Sequence, residues 1–228
     1  MTVHFYLVRH GETQMNRKQH MQGVTDAPLT EKGVAQADAL GAALAKVPFA
    51  QAYSSDRKRA VATAQHILAA TPSAPALMRL ASLREYYFGG LEGMSSAQVM
   101  RLSVQRYGLR AMPQVWQGGD RFAKLVRNFQ KLDDTGQAES LPALQKRMRD
   151  VFQRLADQAP VSGNVLVVGH GLSLSAMIEW VKPQSVPIGL LKNTSVTRLD
   201  FDQTTGTWQV VAVNLTASQA AALATPSL

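Results

Sequence analysis

Cysteine is absent from all 228 residues. That removes a disulfide framework, a thiolate nucleophile of the kind cysteine-based phosphatases use, and any cysteine-rich zinc site. Long hydrophobic runs are missing too: no apolar stretch approaches the roughly 20 residues a spanning helix needs, so membrane insertion is not expected. The apolar opening segment is only strand-length. It lacks a basic n-region and a small-residue cleavage site, and so does not read as a signal peptide. Together these absences point to a cytoplasmic enzyme. No internal repeat or low-complexity tract is visible, and the length suits one well-buried domain.

Acidic residues are scarce beside basic ones, 16 Asp and Glu against 24 Lys and Arg, for a formal net charge of +8 and a pI of about 10.0. Such a balance attracts anions. Because the basic residues are scattered and the densest run, Arg57-Lys58-Arg59, is three long, nucleic acid is not the expected partner. Small anionic molecules fit better.

The periodicity reads as alternating strands and helices. Val3–Val8 has the β-branched and aromatic enrichment of a buried strand. A helix opens at Thr30, with Val34, Ala37, Gly41 and Leu44 on one face, and Pro48 ends it. A short strand at Ala52–Ser54 leads to a helix over Arg59–Leu68, stopped before Pro72. A further helix spans about Ser140–Ala159 and carries Leu144, Met148, Val151, Phe152 and Leu155 at helical spacing. Val165–Gly169 reads as a fully buried parallel strand followed by a helix from Leu172 to about Trp180. Ser195–Phe201 and Trp208–Val213 look like a hairpin, and the last dozen residues look helical or frayed. This is a βαβ rhythm. An excursion at about 94–139 departs from it, with Arg106, Tyr107, Arg110, Trp116, Arg121, Phe122, Lys124 and Arg127; it reads as a helical cap that selects substrate.

The chemistry-bearing signal is Arg9-His10-Gly11, set directly after the first strand. In open α/β sheets ligands bind at the carboxyl ends of strands. His10 has the placement of a nucleophile, Arg9 offers a planar fork matched to phosphate oxygens, and Gly11 would let the backbone turn and approach a ligand. Val168-Gly169-His170-Gly171 repeats the grammar, so the two histidines can converge. Arg59 sits early in its helix after Ser54-Ser55-Asp56, residues suited to capping, where a helix N-terminus favours phosphate.

These residues jointly resemble the histidine phosphatase superfamily, in its phosphoglycerate-mutase-like branch. The likeness covers Arg9-His10-Gly11-Glu12-Thr13 with Asn16, Gln22-Gly23 with Asp26, Pro28-Leu29-Thr30, Gly33 with Gln36-Ala37, Ser54-Ser55-Asp56, Arg59-Ala60 and Thr63-Ala64. It continues through Leu83-Arg84-Glu85, Phe88-Gly89, Glu92-Gly93, His170-Gly171 and Asn193-Thr194-Ser195. The resemblance implies a three-layer α/β sandwich with a mostly parallel central sheet flanked by helices, plus a helical cap insertion. It also implies that neutral His10 attacks phosphorus, that Arg9, Asn16, Arg59 and His170 hold the equatorial oxygens, and that Glu85 exchanges the proton. Gln22 and Gly23 would approach the substrate through side-chain and backbone donors. No metal or other cofactor is implied; the partner is a small phosphate ester.

Hydrolysis and mutase chemistry are separated by departures from the mutase pattern. Mutases of this branch carry an arginine after the proton-donor glutamate, where this chain has Tyr86, and usually a tryptophan where it has Met15. Paired arginines of the excursion are not found. These departures favour a phosphatase. A binding module that has lost turnover is a further reading, disfavoured because the expected catalytic positions are occupied. Asp200-Phe201-Asp202-Gln203-Thr204 formally matches the nucleophile motif of magnesium-dependent haloacid-dehalogenase-type phosphatases. Too little chain follows to complete that fold, and the segment reads instead as the hairpin turn.

Overall fold

A computed structural model describes residues 1–108, 120–187 and 190–224. Arg110 and Trp116 of the expected cap lie outside them. The strands are β1 (Thr2–Arg9), β2 (Phe49–Ser55), β3 (Leu77–Leu80), β4 (Asn164–Gly169), β5 (Val196–Asp202) and β6 (Thr207–Leu215). They form one sheet in the order β3-β2-β4-β1-β5-β6. β1, β2, β3 and β4 run parallel, while β5 and then β6 join antiparallel. The helices are α1 (Gln14–Arg17), α2 (Glu31–Leu44), α3 (Lys58–Ala69), α4 (Ser96–Tyr107), α5 (Arg121–Leu132), α6 (Leu141–Gln158), α7 (Gly171–Val181) and α8 (Ala217–Ala224). None of the helices among the described residues is long and apolar enough to cross a membrane.

Strand alternation divides the apolar residues between two cores. Tyr6 and Val8 of β1 face one way and pack with Leu40 and Leu44 of α2, Ile67 of α3 and Ala220 of α8. Val3, Phe5 and Leu7 face the other way, against Met148 and Phe152 of α6 and Met177 of α7. Side chains on a strand point to opposite faces with period two, so helices cover both. The result is the expected three-layer α/β sandwich.

Local signals explain most boundaries. Thr30 accepts a hydrogen bond from Gly33 N and caps α2; Ser140 caps α6 through Ala143 N, with Pro142 in the first turn. The buried stripe of α6 is the one its spacing predicts. On α2, Val34 is only half-buried and Leu40 takes the central place. β2 starts at Phe49, earlier than expected, and β3 was not anticipated. Leu77-Met78-Arg79-Leu80 lacks β-branched residues and becomes a strand by pairing with β2 at the sheet edge. The hairpin of β5 and β6 is present, and of the last dozen residues Ala217–Ala224 form α8, whose Ala220 is fully buried, while 225–228 lie outside the described residues.

Candidate active site

β1 and β4 are neighbours in register, Arg9 opposite Gly169, so the residues that follow them leave the sheet side by side. His10 N donates to Gly169 O at 3.0 Å, and the His10 and His170 ring centroids stand 5.2 Å apart. Each ring has one nitrogen committed. His10 Nδ1 lies 2.8 Å from Gly11 O, a carbonyl that only accepts, so the hydrogen sits on Nδ1 and the lone pair on Nε2. For His170 the logic inverts: Nδ1 accepts from Arg59 Nε at 3.2 Å, which puts the hydrogen on Nε2, a buried atom without a partner. Burial, then the charges of Arg59 and Arg9, hold the His10 pKa well below the usual histidine range. Burial and Arg59 do the same to His170. Two neutral imidazoles of opposite tautomer thus face each other, His10 with a lone pair on Nε2 and His170 with a hydrogen there.

The two arginines differ in how much of their hydrogen bonding is spent. Arg9 donates from Nη1 to Leu191 O at 2.5 Å, and its buried Nε has no partner. Arg59 is 1% exposed, and each of its guanidinium nitrogens is engaged within the protein. Besides His170, it binds Thr25 O and Asp26 from Nη1 and the carbonyls of Gln22 and Gly23 from Nη2. In this structure Arg59 therefore supplies charge and orients His170, and does not reach out to a ligand as expected.

Gly23 also departs from expectation. Its N–H is taken by the Glu92 carboxylate at 2.9 and 3.1 Å, so it has no free backbone donor for a substrate. Gly11 is a packing glycine: a Cβ there would lie 2.6 Å from Gly33 O, so it admits α2 and not a ligand. Nor do Ser54, Ser55 and Asp56 cap α3. The first helical amides, Lys58 N and Arg59 N, donate to Asp26 at 2.6 and 3.4 Å.

Glu85 lies on the loop after a short 3-10 turn at Ala81–Leu83 and occupies the start of α7. Its carboxylate accepts from Ser173 N at 2.8 Å, Leu172 N at 3.1 Å and Tyr86 N at 2.8 Å. It acts as the cap that His170, at the N-cap position, does not provide. Arg9 Nε and Glu85 Oε2 both lie within 4 Å of where a Gly171 Cβ would be, which brings the strand end and the glutamate loop to one point.

Asn16 and Gln22 are presented by Thr13. Thr13 and Asn16 form a reciprocal capping box on α1, and Asn16 Oδ1 also accepts from Asn193 at 3.2 Å, so the amide nitrogen is the end left for a ligand. The Thr13 hydroxyl donates to Gln22 Oε1 at 2.8 Å, while Gln22 Nε2 is buried without a partner. Thr13 and Asn193 stood in the family-like blocks without an assigned role. Arg147 on α6 carried no sequence signal, since it looks like any charge on a polar helix face. It forks onto Glu139 at 2.9 and 2.8 Å and donates to the carbonyls of Ser82 and Arg84 at 2.9 and 2.8 Å.

A cavity of about 430 Å³ is lined by Arg9, His10, Asn16, Gln22, Glu85 and Asn193 at one end. The Asp200–Thr204 segment takes no part. Asp200 binds Arg198 and His4, and Asp202 closes the hairpin turn through Thr204 N. Among the described residues no group of three or more His, Asp or Glu side chains is placed to hold a metal ion.

A model of the histidine phosphatase superfamily (branch 1) matches residues 5–216. A 2,3-bisphosphoglycerate-dependent phosphoglycerate mutase 2 from Gloeobacter violaceus is 32% identical over 185 residues, covering 79% of this chain and 77% of that one. The crystal structure of phosphoglycerate mutase from Bacillus anthracis superposes with a TM-score of 0.88 at 30% identity, over 96% of both chains. A mycobacterial glucosyl-3-phosphoglycerate phosphatase shares the fold with a TM-score of 0.73 at 23% identity, over 93% of this chain and 99% of that one.

Proposed function

The chain belongs to the histidine phosphatase superfamily, a family of enzymes of phosphoryl transfer and hydrolysis, and on that premise we propose that it hydrolyses phosphomonoesters through a phosphohistidine on His10. One observation carries this reading. Three buried donors without partners, Arg9 Nε, Gln22 Nε2 and His170 Nε2, belong to residues gathered about a neutral imidazole whose Nε2 holds a lone pair. Unpaired buried donors are costly, and a phosphoryl group would satisfy them.

His10 Nε2 attacks phosphorus as the ester oxygen departs, forming the P–N bond and breaking P–O. Glu85 gives its proton to the leaving oxygen. As a carboxylate it then takes a proton from water, whose oxygen displaces His10 and releases phosphate. Arg9, Asn16, Gln22 and His170 hold the equatorial oxygens, and the positive charge of Arg9 and Arg59 balances the developing charge, so no metal is called for. On this reading α4 and α5, the described helices of the 94–139 excursion, belong to a substrate-selecting cap on a single domain.

A mutase is the second reading, favoured by the names of the relatives. Against it stands Tyr86: fully buried, its ring packs on Phe88 and Phe129, where mutases of this branch carry an arginine. A panel of phosphate monoesters including 3-phosphoglycerate, assayed with EDTA, separates the two. Phosphate release that resists EDTA, vanishes in His10→Ala and drops by about 10² to 10⁴ in Glu85→Gln supports hydrolysis. Isomerisation of 3-phosphoglycerate without release would replace it by the mutase.

A further inference from the structure

The cavity beyond the phosphoryl end has a consistent character. Its apolar lining is Met21, Phe88, Phe129, Leu172 and Leu190. Phe88 and Phe129 meet edge to face at 5.4 Å, and the buried ring of Tyr86 packs on both at 5.0 and 6.1 Å, so the two lining rings are held in a three-ring cluster. Polar groups on the rim are Gln19, His20 and Ser96. Ser96 donates to Gln19 O at 3.0 Å, and His20 Nδ1 is spent on the Gly93 carbonyl at 2.8 Å. Among the described lining residues, the side chains with permanent charge are Arg9 and Glu85, both at the phosphoryl end.

From this arrangement we propose that the preferred substrates are phosphomonoesters of apolar alcohols or phenols, whose leaving portion lies on the Phe88–Phe129 wall, and not esters bearing a second acidic group. The inference rests on the phosphatase reading above. A carboxylate on the leaving portion would lose its water against aromatic carbon, with no cation among the described residues of that wall to receive it. Methylenes of an alkyl chain gain about fourfold each when fully buried, from a transfer free energy of about 0.8 kcal/mol.

Linear alkyl phosphates provide the test, because ethyl, butyl and hexyl leaving groups have nearly equal intrinsic reactivity and differ in apolar length. The expected result is a kcat/KM that climbs from ethyl to butyl to hexyl phosphate by up to about fourfold per methylene, with phenyl phosphate well above 3-phosphoglycerate. Phe129→Ala should flatten the series. Since that variant removes a core ring, Gln19→Arg, at an exposed position on the rim, gives an independent reading: a new cation should raise 3-phosphoglycerate relative to hexyl phosphate. A flat series with 3-phosphoglycerate the best substrate, while release remains EDTA-resistant and dependent on His10, would overturn the apolar preference and leave the phosphatase intact. Failure of every ester to release phosphate would instead remove the phosphatase reading and this inference with it.

Discussion

Two buried histidines beside two guanidinium groups stay neutral, and that requirement makes the fold sensitive to mild acid. Burial and the arginine charges depress the pKa of His10 and of His170 in the folded chain, whereas the unfolded chain takes up these protons near pH 6.5. Below that pH the unfolded state binds more protons, so stability falls as pH drops from 6.5 toward the folded pKa values and is unaffected above it. Each histidine contributes a slope of up to about 1.4 kcal/mol per pH unit. Urea unfolding between pH 5 and 8 should show this loss, and His10→Gln/His170→Gln should flatten it; an unchanged slope in that variant would contradict the depressed values. The same neutrality should carry activity below pH 6.5, where an ordinary imidazole would be silenced. At this scale the sequence displayed residue types but not their commitments. His10, His170 and Arg9 stood at strand ends and could be read as such. That Arg59 spends its fork on carbonyls 34 to 37 residues away, and Gly23 its N–H on Glu92, 69 residues away, follows from loops meeting in the fold and has no local signature.

At the scale of elements, two carboxylates distant in sequence start two helices. Asp26 receives the first amides of α3, and Glu85 those of α7. Asp26→Ala should cost about 1 kcal/mol of stability, the usual worth of a lost N-cap, while Arg59 Nη1 keeps its bond to Thr25 O. Urea titration reads the loss, and no change in stability would contradict the capping role. Arg147 fixes the 82–85 segment from α6 and so positions Glu85. Arg147→Ala is expected to lower kcat about 10- to 100-fold with little change in KM, as small displacements of a catalytic group do. Arg147→Lys should restore only part of this, because an ammonium cannot fork onto Glu139 and two carbonyls together. Equal effects of both variants on Tm and none on kcat would make the residue merely structural. Long elements were readable because their buried faces are periodic, as α6 shows. β3 was not, being four residues of helix-prone side chains whose strand form comes from its neighbour.

At the scale of the molecule, the chain carries an excess of eight positive charges, a field that would draw anions toward the proposed site. The kcat/KM for a phosphate ester should therefore fall several-fold between low and 0.5 M salt, as screening shortens the reach of that field; insensitivity to salt would show the charge to be unrelated to capture. The sheet order sets β1 beside β4, so two strands with residues 10–163 of the chain between them deliver His10 and His170 to one point, each with the opposite ring nitrogen protonated. Repetition of strand, histidine and glycine made that convergence legible, while the distances and tautomers required the folded chain. The most direct test is to quench the enzyme in mid-turnover with a 32P-labelled ester and map the label. The account predicts an acid-labile, base-stable phosphoryl group on the His10 peptide, formed with EDTA present and lost in His10→Ala. Turnover without label on His10, or label on a carboxylate, would contradict it.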